Sequence, residues 1–159
     1  MKTNLTLLDW KYNAPFISEW CIDDSHIDHY QHTNNVAYLA RQEALAWEHS
    51  TCLGLSFEDY KREDRAMAIT HHQLNYHLAS HENDTLACAT WIIACDEKCR
   101  LSRFFQFINV ATNKTVYSAT TQFVCIKLSS GIPIKMPPSF KSIYGNAALQ
   151  YQHSNKEEV

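Results

Sequence analysis

The spacing of apolar residues divides the chain into one early strand, one long helix and a run of strands. Residues 15–22 (Pro-Phe-Ile-Ser-Glu-Trp-Cys-Ile) are rich in strand formers. Residues 23–33 are polar and histidine-rich, follow no period and read as a loop. From Asn34 the step changes. Val36, Leu39, Ala40, Ala44, Trp47 and Thr51 recur every three or four residues, the helical period. Asn34 suits the N-cap, because its side-chain oxygen can accept an early backbone N–H. Gly54 lies just past the expected end, where a left-handed residue is wanted. Ala37, Leu45 and Cys52 widen the stripe, so the helix is expected to be largely buried.

A polar connection through Lys61-Arg62-Glu63-Asp64-Arg65 follows. Four strands are then expected. Residues 66–78 alternate, with Ala68, Thr70, His72, Leu74, Tyr76 and Leu78 on one side. Residues 84–96 are apolar on both faces, 101–111 carry Phe104, Phe105, Phe107, Ile108 and Val110, and 115–128 alternate again. The links Ser80–Asn83, Glu97–Arg100 and Thr112–Lys114 are short and polar, which predicts antiparallel hairpins. Strands apolar on both faces need two covers. One helix supplies only one, so a second subunit is expected on the other face or edge. Pro133, Pro137 and Pro138 mark the exit from the last strand, and a polar, mobile tail is expected from about Asn146. This gives one domain over residues 1–145 and a tail over 146–159, in the α+β class.

Composition narrows the function classes. The chain has 159 residues, is 45% hydrophobic and 19% charged, and so suits a single globular domain. With only 3 glycines, a glycine-rich phosphate loop is excluded. The formal net charge of -3, without a basic run, argues against a nucleic-acid partner. The first apolar stretch is broken at Asp9, too soon for a signal peptide, and no segment approaches the roughly 20 apolar residues of a membrane span. A cytoplasmic protein is expected, with Cys21, Cys52, Cys88, Cys95, Cys99 and Cys125 as small buried thiols. No G-x-S-x-G elbow occurs.

The chemistry gathers in His26-Ile27-Asp28-His29-Tyr30-Gln31-His32-Thr33-Asn34-Asn35-Val36-Ala37-Tyr38. A carboxylate, histidines and two amides lead into a helix N-terminus. The first N–H groups of a helix lack internal partners, and its dipole favours negative charge, so such a place can hold an oxyanion. His26, His29 and His32 recur every third residue, but the stretch does not read as helix, so no metal is expected.

This segment resembles the hotdog-fold acyl-CoA thioesterases of the 4-hydroxybenzoyl-CoA thioesterase type, whose signature runs D-x-D-x-x-G-H-V-N-N-x-x-Y. Its Gln-His-x-Asn-Asn form is also similar to acyl carrier protein thioesterases. Asp28, His32, Asn34, Asn35 and Tyr38 fall on the signature, and Glu43 matches an acidic residue often found on this helix. Asn75-Tyr76, Asp84-Thr85-Leu86 and Pro137 also agree, so the resemblance covers roughly residues 12–138. Two departures from it matter. His26 stands for the usual first Asp, and Gln31 for the usual Gly.

The resemblance implies a hotdog fold, an antiparallel sheet wrapped on one long helix. It also implies a homodimer or homotetramer with the active site between subunits. The implied reaction is hydrolysis of an acyl thioester of coenzyme A or a carrier protein, with no cofactor. Asp28 is the expected catalytic carboxylate, with Asn34, Asn35 and nearby backbone N–H groups as oxyanion donors. His32 and Glu43 are further catalytic candidates. Tyr38 and Thr70 border the expected site beside His71 and His72, and Lys98, Arg100 and Arg103 are candidates for phosphate contacts at a strand turn. Leu39, Trp47 and Phe57 point to a fatty or aromatic acyl group. Each has a plainer reading. Asp28 and His32 can simply hold the loop, Asn34 can cap the helix, Glu43 can pair with Arg41, and the three cations can be a solvated hairpin. A hotdog hydratase or dehydratase, or a non-catalytic acyl-binding protein, are the rival functions.

Overall fold

The computed structural model describes residues 3–155. Its main elements run β1 (Phe16–Cys21), α1 (Asn35–Cys52), α2 (Phe57–Arg62), β2 (Arg65–Tyr76), β3 (Thr85–Cys95), β4 (Arg100–Asn109), β5 (Lys114–Lys127) and α3 (Pro138–Ser154). The strands form one sheet in the order β1-β3-β4-β5-β2, with every neighbour antiparallel. Two of the three expected hairpins exist, β3–β4 and β4–β5. The link after β2 is not a hairpin. β2 pairs with β5, and the chain crosses to the other side of the sheet to begin β3 beside β1.

α1 lies on one face of this sheet. Asn34 caps it as expected, and Gly54 adopts a φ of 101° after its last turn, a conformation that favours glycine. The buried side differs from the expected stripe. Tyr38, Gln42, Leu45 and Ser50 face inward, whereas Val36, Ala40, Ala44, Trp47 and Thr51 are exposed. Tyr38 and Leu45 join Leu86, Cys88, Phe105, Phe107, Tyr117 and Ala119 in the inner core. Each large apolar side chain buried there contributes about 1.5–3 kcal/mol.

The β2 alternation also breaks. Its register against β5 shifts between Ile69 and His71. The bulged residue inverts the phase. Met67 and Ile69 therefore share a cavity wall with His72, while Thr70 is exposed and donates its hydroxyl to Gln122 O.

Two helices escape the apolar pattern. α2 sits within the expected polar connection. Ser56 and Asp59 cap it reciprocally, each side chain taking the other's backbone N–H. α3 replaces much of the expected polar tail. Pro138 occupies its first turn, and Phe140, Tyr144 and Ala148 bury one face. The continuous helix crosses the boundary expected at residue 145, and residues 156–159 of the expected tail lie outside the described residues.

α3 also changes the expectation of a second subunit on the sheet. β1 covers the edge of β3 only from Thr85 to Thr90, and α3 packs against β3. On the outer face Trp10, Tyr12 and Tyr151 cover Ala89, Trp91 and Phe104. The chain thus supplies the second cover itself. Among the described residues, no helix is long and apolar enough to cross a membrane. The cysteines are free. Cys88 and Cys125 are buried as expected, but Cys21 and Cys52 are exposed.

Because Ala148 is 4% exposed, Ala148→Glu would bury an unpaired carboxylate. It should cost about 3 kcal/mol or more, lowering Tm by roughly 6–12 °C in thermal unfolding. An unchanged Tm would show that this part of α3 is not docked.

Candidate active site

The loop before α1 is a small hairpin. Asn34 N donates to His26 O (2.8 Å), Ile27 bridges Thr33, and Asp28 N donates to His32 O (2.9 Å). Gln31, in the tight turn, has a φ of 63°. This accounts for the glycine of the resembled signature at that position. The half-buried Asp28 accepts at Oδ1 from the N–H groups of Tyr30 (2.8 Å) and His32 (3.3 Å). Asp28 therefore holds its own loop, whatever else it does.

Asn34 closes the hairpin onto the helix. Its Oδ1 accepts from Ala37 N (2.7 Å) and its Nδ2 donates to His26 O (2.9 Å). Both ends of this amide are committed to structure. The exposed Asn35 and Val36 begin the helix, and their backbone N–H groups find no acceptor among the described residues. They are the free donors expected at a helix start. The histidines do not converge. His26 faces Trp20 and caps a 3-10 turn, while the exposed His32 packs edge-on against His81. Tyr38 is 3% exposed, stacked on Tyr117 and bonded to Ser80 Oγ (2.6 Å), and so belongs to the core.

The principal cavity, about 300 Å³, lies farther along α1. Leu39, Ala46 and Trp47 of α1, Phe57 of α2, Met67 and Ile69 of β2, and Phe105 and Phe123 of the central strands form its apolar walls. Leu39, Trp47 and Phe57, the apolar residues singled out in the sequence, all lie on this wall. Glu43 lies on its wall, is exposed, and is not the partner of Arg41, which binds Glu48 (2.7 Å). Asp28, Asn34 and Asn35 are not on this wall within one chain.

A polar relay borders the cavity midway. Tyr117 donates its hydroxyl to Gln42 Oε1 (2.6 Å), and Gln42 Nε2 donates to Thr121 Oγ1 (2.9 Å). The Thr121 proton then has His72 Nδ1 as its acceptor (2.8 Å), leaving the ring proton on Nε2. Burial, and secondarily the neighbouring His71, push His72 below its usual range, in keeping with a neutral ring.

The three expected strand-turn cations are split. Lys98 and Arg100 are exposed, but Arg103 is 2% exposed and turned beneath α1. Its Nη1 donates to His49 Nδ1 (2.8 Å) and its Nη2 to Ser50 Oγ (2.8 Å). Ser50 shares a hydrogen bond with Tyr144 (2.9 Å), whose hydroxyl also meets that of Tyr60. Burial, reinforced by the Arg103 charge, pushes His49 down to about 3.

Sequence reasoning missed Gln42, Ser50, Tyr60, Thr121 and Tyr144. A signal existed in Tyr38, Gln42, Leu45 and His49, spaced as one helical face. The two polar members hid it.

Comparison with known proteins agrees with this architecture. Residues 22–143 match the thioesterase-like superfamily. No curated protein matches. Among solved structures, a DHNA-CoA thioesterase from Staphylococcus aureus is similar at 18% identity and a TM-score of 0.79, over 91% of this chain and 96% of that one. A 1,4-dihydroxy-2-naphthoyl-CoA thioesterase from Synechocystis gives 16% identity and a TM-score of 0.74, over 88% and 99%. A Staphylococcus aureus protein in complex with CoA gives 15% identity and a TM-score of 0.79, over 89% and 88%. The fold is the expected α+β hotdog.

Asn34→Ala, which removes both amide bonds, should cost about 1–2 kcal/mol in urea unfolding. Asn34→Asp keeps the acceptor and should recover at least half; equal losses would exclude the cap. For His49, the folded ring stays neutral down to about pH 3. The unfolded ring takes a proton below about pH 6.5, so stability falls across that window as pH drops. By pH 5 the loss should reach about 2 kcal/mol. His49→Gln should remove this component; an identical pH dependence in the variant would refute it.

Proposed function

The chain belongs to the thioesterase-like superfamily, and from that premise we propose that it hydrolyses acyl thioesters of coenzyme A or an acyl carrier protein. Water enters, the acyl–sulfur bond breaks, and a free carboxylic acid and a thiol leave. No cofactor takes part. The observation that carries the reading is the apolar cavity along α1, which suits an acyl chain. The similarity to thioesterases named for CoA substrates supports it.

Asp28 attacks the thioester carbonyl or activates water for that attack. The backbone N–H groups of Asn35 and Val36 receive the developing oxyanion, a contribution of about 10² to 10³ in rate for each well-placed donor. Asp28 is off the cavity wall of its own chain, which fits an active site completed by a second copy. Two features favour a homo-oligomer. The exposed stripe of Val36, Ala40, Ala44 and Trp47 leaves apolar surface uncovered, and β2 is an unpaired sheet edge. The exposed Lys98 and Arg100 are candidates for the phosphates of coenzyme A. Six free cysteines suit a reducing, cytoplasmic setting.

A second reading makes Glu43 the catalytic carboxylate, because it lies on the cavity wall and Asp28 does not. Parallel variants separate the two. Asp28→Asn keeps an oxygen for the Tyr30 and His32 N–H groups while removing the charge. In a thiol-release assay across acyl-CoA chain lengths, with an aromatic substrate included, it should lower kcat/KM at least about a hundredfold. The oligomer should survive gel filtration, and Glu43→Gln should stay within about threefold of wild type. The reverse pattern transfers the role to Glu43. A wild-type protein inert on every thioester removes the hydrolase reading.

A further inference from the structure

We propose that the cavity accepts an acyl chain bearing a carboxylate at its far end, and that the Arg103 guanidinium receives that carboxylate. The inference rests on the thioester reading for the near end of the chain; the far end is argued from Arg103 itself.

Arg103 is a buried cation without a counter-charge. It is 2% exposed yet forms part of the cavity wall. Its partners are an imidazole and hydroxyls, at His49 Nδ1 and Ser50 Oγ, with the Tyr144 phenol against the same guanidinium. The low His49 basicity keeps that ring neutral, and burial pushes the Tyr60 hydroxyl far above its usual range. Among the described residues no carboxylate forms an ion pair with Arg103. Arg41 shows the ordinary solution, with Glu48 at 2.7 Å. Glu43 shares the cavity but precedes Ser50 by seven residues, about 10 Å along the helix axis.

Burying a charge is costly unless an opposite charge accompanies it. Arginine stays protonated even when burial lowers its basicity, so neutralisation is no escape. A ligand carboxylate supplies the missing charge, and the planar guanidinium fork matches its two oxygens. The spacing is suitable. From Leu39 to Ser50 the cavity follows 11 residues of α1, about 16 Å. The apolar walls between accept methylenes, and an uncharged chain would set its terminal methyl against the guanidinium. Arg65, also on the wall, adds positive rather than negative charge.

The test compares coenzyme A thioesters of ω-carboxyacyl chains with methyl-terminated thioesters of equal length, over a series of lengths. At the best length wild type should favour the carboxylated chain at least about tenfold in kcat/KM. In Arg103→Met the ratio should fall toward one. A ratio within each protein is insensitive to a general loss of activity. If Arg103→Met does not fold, the wild-type ratio still decides. Equal rates on both series overturn the substrate assignment, as does a preference that persists in Arg103→Met. Calorimetric binding of a long-chain carboxylic acid against the matching primary alcohol needs no turnover. Carboxylate binding at least about tenfold tighter, with the preference lost in Arg103→Met, in a protein inert on thioesters, would uphold the anion site and refute the hydrolase; a preference kept in Arg103→Met would overturn the Arg103 assignment. Equal affinities would overturn the inference whether or not thioesters are hydrolysed.

Discussion

The interaction on which most of the molecule depends is the set of bonds around the Arg103 guanidinium. Through it β4 is tied to α1 at His49 and Ser50, and Ser50 passes the connection to Tyr144 of α3 and Tyr60 of α2. One buried cation therefore fixes where three helices meet the sheet. A low-dielectric setting makes each of these bonds strong and each unpaired group expensive. The same setting opens a cavity beside the cation, so the polar cluster that organises the fold also sets the character of the cavity floor.

The other end of α1 is organised differently. A hairpin of nine residues, His26 to Asn34, delivers the chain to the helix, closed by backbone bonds and by the Asn34 amide. Asp28 and Asn34 hold this hairpin in shape. The helix then starts with open N–H groups beside a fixed loop, an arrangement that needs no movement to meet a negative oxygen. The two ends thus differ in kind: open backbone N–H groups at the start of α1, and a buried guanidinium beneath its last turns.

Much of this was legible in the sequence. Strand alternation, the N-cap at Asn34 and the signature around Asp28 located the sheet, α1 and the loop. What escaped had physical causes. The inward face of α1 carries Gln42 and Ser50, whose polarity is satisfied by Thr121, Tyr117, Arg103 and Tyr144 rather than by water. The outward face carries Val36, Ala44 and Trp47, so an apolar count chose the wrong side. The β2 bulge reversed the alternation at Thr70, which no period reveals. α3 was hidden because Pro137-Pro138 read as a stop, although proline also opens helices and Phe140, Tyr144 and Ala148 keep helical spacing. Arg103 looked like one of three surface cations because sequence neighbours on a strand face opposite ways.

The central claim is that an acyl chain lies along α1 between the helix and the sheet. A crystal structure with a thioether analogue of an ω-carboxyacyl-CoA, in which no thioester can break, tests it most directly. The expected density follows the wall formed by Leu39, Trp47 and Phe105, with the terminal carboxylate on Arg103 and the acyl carbonyl at the start of an α1 helix, beside Asp28 of either copy. An empty cavity, with the analogue bound on another surface, would contradict it.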